Sequence, residues 1–110
     1  MKKVEAIVEP DKLTAAKEAL MNIGIDCMTI SEVHGNGSQK GSNLVYRGQK
    51  YSVDLLPKVR FDVVVADERL DDAVDAISSA AHTGNITGDS ILVYDIAEAV
   101  QIRNGVRTVR

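Results

Sequence analysis

Two segments of this sequence, 57 positions apart, follow the same pattern, and this internal similarity constrains the fold more than any other feature. In each segment a short β-branched run ends at acidic residues and is followed by apolar residues at helical spacing, which predicts a strand and then a helix. The matching positions are Glu5 to Val8 with Asp62 to Val65, Leu13 with Leu70, Ala16 with Ala73, Ala19 with Ala76, and Leu20 with Ile77.

Each predicted helix is followed by glycine and then by another apolar run. Gly24 is expected to end the first helix, with Ile25 to Val33 as the returning strand, and Gly84 and Gly88 precede the apolar run Ile91 to Tyr94. Between the halves, apolar residues occupy every odd position from Val53 to Val65, which is typical of a strand with one buried face. Pro57, within that run, suits an edge or the beginning of a strand.

These elements predict one α+β domain spanning residues 1–110. The order βαββαβ, with four antiparallel strands and both helices on one face, is the ferredoxin-like sandwich, here with a long loop between strands 2 and 3. The length of 110 residues, with 45% apolar and 26% charged residues, is that of a single globular domain. The other sheet face would carry small apolar and polar residues, so we expect it to be a surface for self-association.

Charge and residue usage exclude several classes of function. A net charge of −3 gives no general attraction for nucleic-acid phosphates. No run approaches the roughly 20 apolar residues of a membrane-spanning helix, and Glu5 and Glu9 interrupt the apolar core that a signal peptide requires. We therefore expect a cytoplasmic protein that neither binds nucleic acid nor inserts into a membrane.

Side chains that commonly bind metals or act as nucleophiles are sparse. The single cysteine, Cys27, excludes an internal disulfide, and its apolar neighbours predict a buried thiol. His34 and His82 lie far apart in sequence and are interpreted as surface residues, so no metal site is predicted. The acidic cluster Asp67 to Asp72 falls where the second helix begins, and negative charge there favours the helix dipole. No catalytic group is therefore assigned, and the chain is not predicted to be an enzyme.

The segment from Gly35 to Ser52 is rich in Gly, Ser, Asn, Gln and Lys. Loops of this length within a compact domain are usually functional or disordered, so we expect a binding or regulatory role. The P-loop requires Gly-Lys-Ser/Thr before a helix, whereas the order here is Lys40-Gly41-Ser42, and the dinucleotide fingerprint requires a glycine where Lys40 stands. The glycines can still present backbone N–H groups to an anion.

Motifs along the chain resemble the PII family of nitrogen-regulatory signal proteins, over about residues 1–106 with no gap. The opening MKKVEAIVEPDKLTAAKEAL resembles the first strand and helix of that family, and MTISEVHGNGSQKG at 28–41 resembles the strand that enters its T-loop. YRGQKY at 46–51 and VDLLPK at 53–58 resemble the T-loop tip and its exit strand. The resemblance places the T-loop at about residues 36–55 and a C-terminal segment at about 96–110.

The resemblance implies a homotrimer that binds ATP or ADP in three clefts between subunits, with 2-oxoglutarate joining Mg-ATP; AMP is an alternative ligand. The T-loop would then switch shape and control a target such as an ammonium transporter or a nitrogen-assimilation enzyme. The implied nucleotide-binding residues are Thr29, Gly35, Gly37, Ser38, Gln39, Val64, Gly88, Asp89 and Arg103. The residues implied for Mg and 2-oxoglutarate are Gln39, Lys40, Gly41 and Lys58, and Tyr51 is the candidate for uridylylation.

The chain departs from the family pattern at positions that would face phosphate. Ser38 replaces an arginine, Thr87-Gly-Asp-Ser90 replaces Gly-Asp-Gly-Lys, and Gln101 replaces the first arginine of an Arg-x-Arg pair that retains Arg103. Charge-assisted hydrogen bonds are worth roughly 1.5–3 kcal/mol each, so losing three without compensation would weaken triphosphate binding by on the order of a thousandfold or more. Lys40, Arg107 or Arg110 could compensate, but we favour a free C-terminal tail.

Three hypotheses from different classes follow. The favoured one is a PII-type regulator, and its variant is a PII-like paralogue with altered or lost nucleotide binding that regulates another transporter or enzyme. A single-stranded RNA binder is less favoured, because the strand Val59 to Val64 lacks paired aromatic residues for base stacking and aromatics total 4%. An acylphosphatase-like enzyme is also disfavoured, because no glycine-rich loop ends in a substrate-positioning arginine.

Overall fold

The computed structural model describes residues 1–36, 43–46, 49–52, 55–82 and 90–109. Its main sheet is antiparallel, and its strands lie in the spatial order Met28–Asn36, Leu55–Val65, Lys2–Val8 and Ser90–Asp95. This order confirms the ferredoxin-like α+β fold. The elements are β1 (Lys2–Val8), α1 (Leu13–Asn22), β2 (Met28–Asn36), β3 (Asn43–Tyr46), β4 (Gln49–Ser52), β5 (Leu55–Val65), α2 (Leu70–Ala81), β6 (Ser90–Asp95), β7 (Glu98–Val100) and β8 (Arg107–Val109).

The internal similarity of the sequence is reproduced in the backbone. A single 3₁₀ turn precedes each helix, at Pro10–Lys12 and Asp67–Arg69, and these turns are again 57 positions apart. The residue before each turn has nearly the same extended conformation: φ −69°, ψ 145° at Glu9 and φ −63°, ψ 152° at Ala66. The two strand–turn–helix units are therefore structural repeats, as the sequence predicted.

The hydrophobic core lies between the sheet and the two helices. It consists of alternate residues of β1 and β5 together with one stripe from each helix, as the period-2 and helical patterns predicted. Its members on these elements are Val4, Ala6, Val8, Val59, Phe61, Val63, Val65, Ala16, Leu20, Ala73 and Ile77. Leu55 and Pro57 are exposed, since the pairing of β5 with β1 begins only at Val59.

The segment between α1 and β2 differs from prediction in two respects. Gly24 ends the helix with φ +83°, as expected for a left-handed position, but the strand begins at Met28 rather than Ile25. The backbone N–H of Ile25 donates to the carbonyl of Leu20, which holds its side chain in the core. Cys27 follows on the solvent side and is exposed, so the predicted buried thiol is wrong.

Two segments expected to be irregular contain antiparallel ribbons. Strands β3 and β4 pair from Asn43 with Ser52 to Tyr46 with Gln49, within the predicted T-loop. Strands β7 and β8 pair Glu98 with Val109, so the prediction of a free C-terminal tail is wrong for residues up to 109. Gly105 at φ +70° and the Asn104 side chain, which accepts from the N–H of Val106 at 2.9 Å, close the turn of this second ribbon.

Candidate functional site

The face of the main sheet opposite the helices, termed the open face, carries most of the described residues implied in binding. Directly paired residues of antiparallel strands point to the same side, so the register defines its rows. One row joins Thr29, Asp62, Glu5 and Leu92; the next joins Ser31, Arg60, Ile7 and Ser90; Val64, Lys3 and Tyr94 form a third row, and Val33 pairs with Lys58 at the opposite end.

An ionic network occupies the centre of the open face. Lys3 Nζ lies 3.6 Å from Asp62 Oδ1 and 3.8 Å from Glu5 Oε1, and Arg60 Nε lies 3.2 Å from Asp62 Oδ2. The Tyr94 hydroxyl donates to Glu5 Oε2 at 3.3 Å, and Lys3 Nζ lies 5.2 Å from the centre of the Tyr94 ring. Two cations thus balance two carboxylates. This balance limits the desolvation cost that a molecule packed against the open face would impose on these charges.

Three polar atoms of the open face are buried but incompletely partnered. Among the described residues, Ser31 Oγ, Arg60 Nε and Asp62 Oδ1 lack a hydrogen bond of good geometry, although Arg60 Nε and Asp62 Oδ1 each lie within 4 Å of an opposite charge. A buried polar atom with no partner at all, as for Ser31 Oγ, costs about 1–3 kcal/mol, whereas the two charged atoms are partly compensated by their ion pairs. The open face of a single chain therefore has hydrogen-bonding capacity that its own described residues do not use.

Thr29 and Val64 lie at one end of the open face. Both side chains are exposed, and they belong to adjacent strands and adjacent rows. Val64 also lines an open cavity of about 220 Å³, whose walls are Gly24, Ile25, Asp26, Cys27, Val64, Val65, Ala66 and Arg69. This volume is below the ~300 Å³ at which ligand pockets usually begin, so the cavity by itself would enclose only part of a nucleotide.

Lys58 and Gly35 lie towards the other end. Lys58 pairs with Val33 on β2, and its side chain is 7% exposed. Its Nζ lies 3.9 Å from Glu9 Oε1, and the Glu9 side chain is 26% exposed. Gly35 lies two positions beyond Val33 along the same strand, and a Cβ built on it would meet no atom within 4 Å.

The two ends are well separated within one chain. Val64 is six positions after Lys58 on β5, a distance of about 20 Å at roughly 3.3 Å per residue. The sequence resemblance assigns these residues to one ligand-binding cleft, but a single chain does not bring them together.

The remaining implied residues fall in the ribbons or outside the described parts of the chain. Tyr51 lies in β4, where it pairs with Leu44. Arg103 and Gln101 are exposed at the turn between β7 and β8, Ser90 is the exposed first residue of β6, and Arg107 Nη1 lies 3.8 Å from Glu98 Oε1. The residues outside the described ranges are Gly37, Ser38, Gln39, Lys40, Gly41, Thr87, Gly88, Asp89 and Arg110.

Several residues were interpreted from the sequence as structural or exposed. His34 and His82 are both exposed, which confirms them as surface residues. Over the described ranges, no three His, Cys, Asp or Glu side chains come together as a metal site, and neither described helix has the length and apolar character to cross a bilayer. Of the acidic cluster, Asp71 and Asp72 lie in the first turn of α2, where negative charge is favourable.

Sequence reasoning missed Glu9 as a candidate site residue. It was interpreted only as a charge that interrupts a signal peptide, whereas its carboxylate faces Lys58 in the structure. The sequence does show that Glu9 directly follows the first strand. Which residue of β5 lies opposite Glu9, however, depends on the register between β1 and β5. That register is a long-range property which no local pattern reveals.

Comparison with known proteins gives a consistent result. The family model described as Nitrogen regulatory protein P-II matches residues 1–106. The chain is 50% identical to the "Nitrogen regulatory protein P-II" of Haemophilus influenzae over 105 residues, and 48% identical to that of Pasteurella multocida. It is also 48% identical to "Nitrogen regulatory protein P-II 1" of Escherichia coli K12, and each alignment covers 96% of this chain and 94% of the relative. These similarities confirm the resemblance drawn from the sequence motifs.

Proposed function

Because this chain belongs to the Nitrogen regulatory protein P-II family, it is a signal-transduction regulator of nitrogen metabolism, and we propose that it acts by sensing adenine nucleotide. ATP or ADP binds in clefts between the subunits of a homotrimer, and 2-oxoglutarate joins Mg-ATP there. The occupied state sets the conformation of the T-loop, which docks on a target such as an ammonium transporter or a nitrogen-assimilation enzyme in the cytoplasm. Regulation in this form requires no catalytic step.

One observation carries the proposal that the clefts lie between subunits. The Thr29 and Val64 end and the Lys58 end of the open face are about 20 Å apart in one chain, from six positions at roughly 3.3 Å each. Packing of two copies can place the first end of one beside the second end of the other. A site built in this way forms only in the assembly, so ligand binding and oligomeric state are coupled.

The open face supports association through its polar groups. Its four central charges sum to zero, and Ser31 Oγ and Asp62 Oδ1 are buried without hydrogen-bond partners in the described part of the chain. A second copy that supplies a hydrogen-bonding group would remove a penalty of about 1–3 kcal/mol at Ser31 Oγ and could complete the hydrogen bonding of Asp62 Oδ1. The exposed apolar side chains Val64 and Leu92 on the same face add a hydrophobic contribution.

The C-terminal ribbon supports association through its apolar groups. Val100, Ile102 and Val106 are all exposed, and Ile102 at the turn is fully so. Apolar side chains grouped on a projecting ribbon usually find a partner surface. In the proposed trimer, the ribbon lies against a neighbouring subunit and brings the Arg103 guanidinium to the phosphates of the nucleotide.

The proposed ligand contacts follow from the chemistry of the available side chains. Val64 and Thr29 offer an apolar contact and a hydroxyl to the adenine, and Arg103 offers a guanidinium to phosphate. The Lys58 ammonium pairs with a carboxylate of 2-oxoglutarate, and the glycines from Gly35 onward present backbone N–H groups to anions. Bound Mg would neutralise phosphate charge and orient both ligands; Gln39 is the proposed side-chain contact to it.

A second candidate function is a regulator with altered nucleotide preference. Ser90 and Gln101 are exposed and neutral at positions where the family pattern has cations, and they leave Arg103 as the cation at the turn of the ribbon. Fewer cations reduce affinity for the triphosphate more than for AMP, because each additional phosphate adds negative charge. This candidate keeps the same fold and clefts but responds to a different ratio of nucleotides.

Calorimetric titration with ATP, ADP and AMP, each with and without Mg²⁺ and 2-oxoglutarate, distinguishes the two candidates. We expect ATP binding that 2-oxoglutarate strengthens, in a particle of about 36 kDa, three times the 11.9 kDa of one chain. Preferential AMP binding would favour the second candidate. A monomer that binds none of these ligands would contradict both.

Mixing of two variants tests whether each cleft is shared between subunits. Thr29→Tyr blocks the first end and Lys58→Met removes the cation at the second, so neither variant alone should bind ATP and 2-oxoglutarate together. In trimers reassembled from equal amounts, a cleft is intact with probability one half times one half, so about a quarter should recover binding. Absence of recovery in confirmed mixed trimers would contradict a cleft shared in this way.

A further inference from the structure

The Lys58 ammonium already has a carboxylate nearby within its own chain. The pairing of β1 with β5 ends where Val8 lies opposite Val59. Glu9 comes directly after Val8 and Lys58 directly before Val59, so the two residues lie at the same end of this antiparallel pair. Their charged atoms lie 3.9 Å apart. Since Lys58 is 7% exposed, its ammonium has lost most of its contact with water, and the Glu9 carboxylate offsets part of that loss.

The Glu9 side chain is not needed for the turn in which it lies. Its backbone carbonyl accepts from the N–H of Lys12 at 2.9 Å, but its side chain makes no capping hydrogen bond. The repeat supplies an internal comparison, because Ala66 occupies the equivalent position with nearly the same backbone angles and precedes an equivalent turn. An alanine is therefore compatible with this conformation, and the Glu9 carboxylate serves something other than local folding.

We infer that Glu9 lowers the affinity for the dicarboxylate, because its carboxylate competes with the ligand for the Lys58 ammonium. This inference rests on the proposed function, in which Lys58 binds a carboxylate of 2-oxoglutarate. The incoming carboxylate has to displace that of Glu9 from the ammonium, and the displaced group remains close enough to repel it. Glu9 thereby raises the concentration of 2-oxoglutarate at which the protein responds, while it leaves nucleotide binding at the rest of the cleft unchanged.

Glu9→Gln tests this inference, with Asp11→Asn as the matched control. Both substitutions replace a carboxylate by an isosteric amide and change the net charge equally, but Asp11 is exposed and, among the described residues, has no ion pair. Titration of 2-oxoglutarate into protein saturated with Mg-ATP should show about tenfold tighter binding for Glu9→Gln, since one competing and repelling charge is removed. Asp11→Asn should match the unmodified protein.

Glu9→Ala supplies a second variant in which the side chain of residue 9 carries no oxygen, and its affinity for 2-oxoglutarate should equal or exceed that of Glu9→Gln. Affinity for ATP without 2-oxoglutarate, measured in the same series, should be the same in all four proteins. Thermal unfolding of each variant confirms that differences in binding do not arise from loss of the fold.

The outcomes separate the inference from the proposed function. If the unmodified protein and both Glu9 variants bind 2-oxoglutarate equally well, the inference is wrong and the proposed function stands. If Asp11→Asn tightens binding as much as Glu9→Gln, general charge accounts for the effect and the specific role of Glu9 is also wrong. If ATP binds but no variant binds 2-oxoglutarate, the dicarboxylate part of the proposed function fails and the inference fails with it.

Discussion

Val63 and Val64 are neighbours on β5 that lie on opposite faces of the sheet, and together they test the assignment of the core face. Val63 is 1% exposed in the hydrophobic core, whereas Val64 is 51% exposed on the open face. Substitution of each by alanine removes the same atoms from the same strand, and what differs between the two sites is the packing and burial of the side chain. Any difference in stability between the two variants therefore reports burial.

The expected magnitudes follow from the burial of the two side chains. Val63→Ala removes two buried carbon groups at about 0.8 kcal/mol each and leaves a cavity, so we expect a loss of roughly 2–3 kcal/mol. Val64→Ala removes groups that are half in water and leaves no cavity, so the loss in an isolated chain should be below about 1 kcal/mol.

Urea denaturation followed by circular dichroism, repeated over a dilution series, measures both losses. The midpoint for Val63→Ala should fall by an amount that does not depend on protein concentration. Val64→Ala should cost little at high dilution and more at high concentration, because in the proposed trimer this side chain lines the cleft beside the neighbouring subunit and is less exposed than in one chain. Equal losses at every concentration, or a larger loss for Val64→Ala at the highest dilution, would refute the assignment of faces.

Two further substitutions test local features of the structure. Gly24→Ala places a side chain on a residue with φ +83°, and this backbone strain should lower the free energy of unfolding by about 1–2 kcal/mol, measured by thermal unfolding. The control is Gly35→Ala, which lies in a strand and has no atom within 4 Å of the new Cβ, so it should cost little. Similar losses for the two variants would contradict backbone strain at Gly24. The hydrogen bond to Asp95 is the main cause that raises the pKa of Lys2 above its ordinary 10.5. A pairing that raises the pKa of a lysine stabilises the folded protein while the lysine is protonated, and this stabilisation is lost as the pH rises through the pKa of the folded state. The stability difference between the unmodified protein and Asp95→Asn should therefore be constant from about pH 6 to pH 9 and shrink only above about pH 10.5; a difference that vanishes near neutral pH would contradict this pairing.

Local signals in the sequence were sufficient to predict the repeated unit and its elements. The positions of Leu13 and Leu70 mark the beginnings of two helices 57 positions apart, and the period-2 pattern up to Val65 predicted the central strand. These features depend on side-chain periodicity and turn preferences over a few residues, so they can be deduced from the chain alone. The glycine-rich motifs around Gly35 likewise predicted the family, which the comparisons confirm.

Other features were decided by contacts between distant parts of the chain. The exposure of Cys27 and the pairing of the C-terminal ribbon both differ from the local expectation, because Ile25 took the core position and Asn104 and Gly105 closed a turn. The approach of Glu9 to Lys58 depends on the register of β1 with β5, which nearby sequence does not encode. The sequence by itself therefore determined the strands and helices of the βαββαβ unit, their order and the family. The tertiary structure decided the two ribbons and which charges face one another, because turn closure and strand register depend on contacts between distant residues.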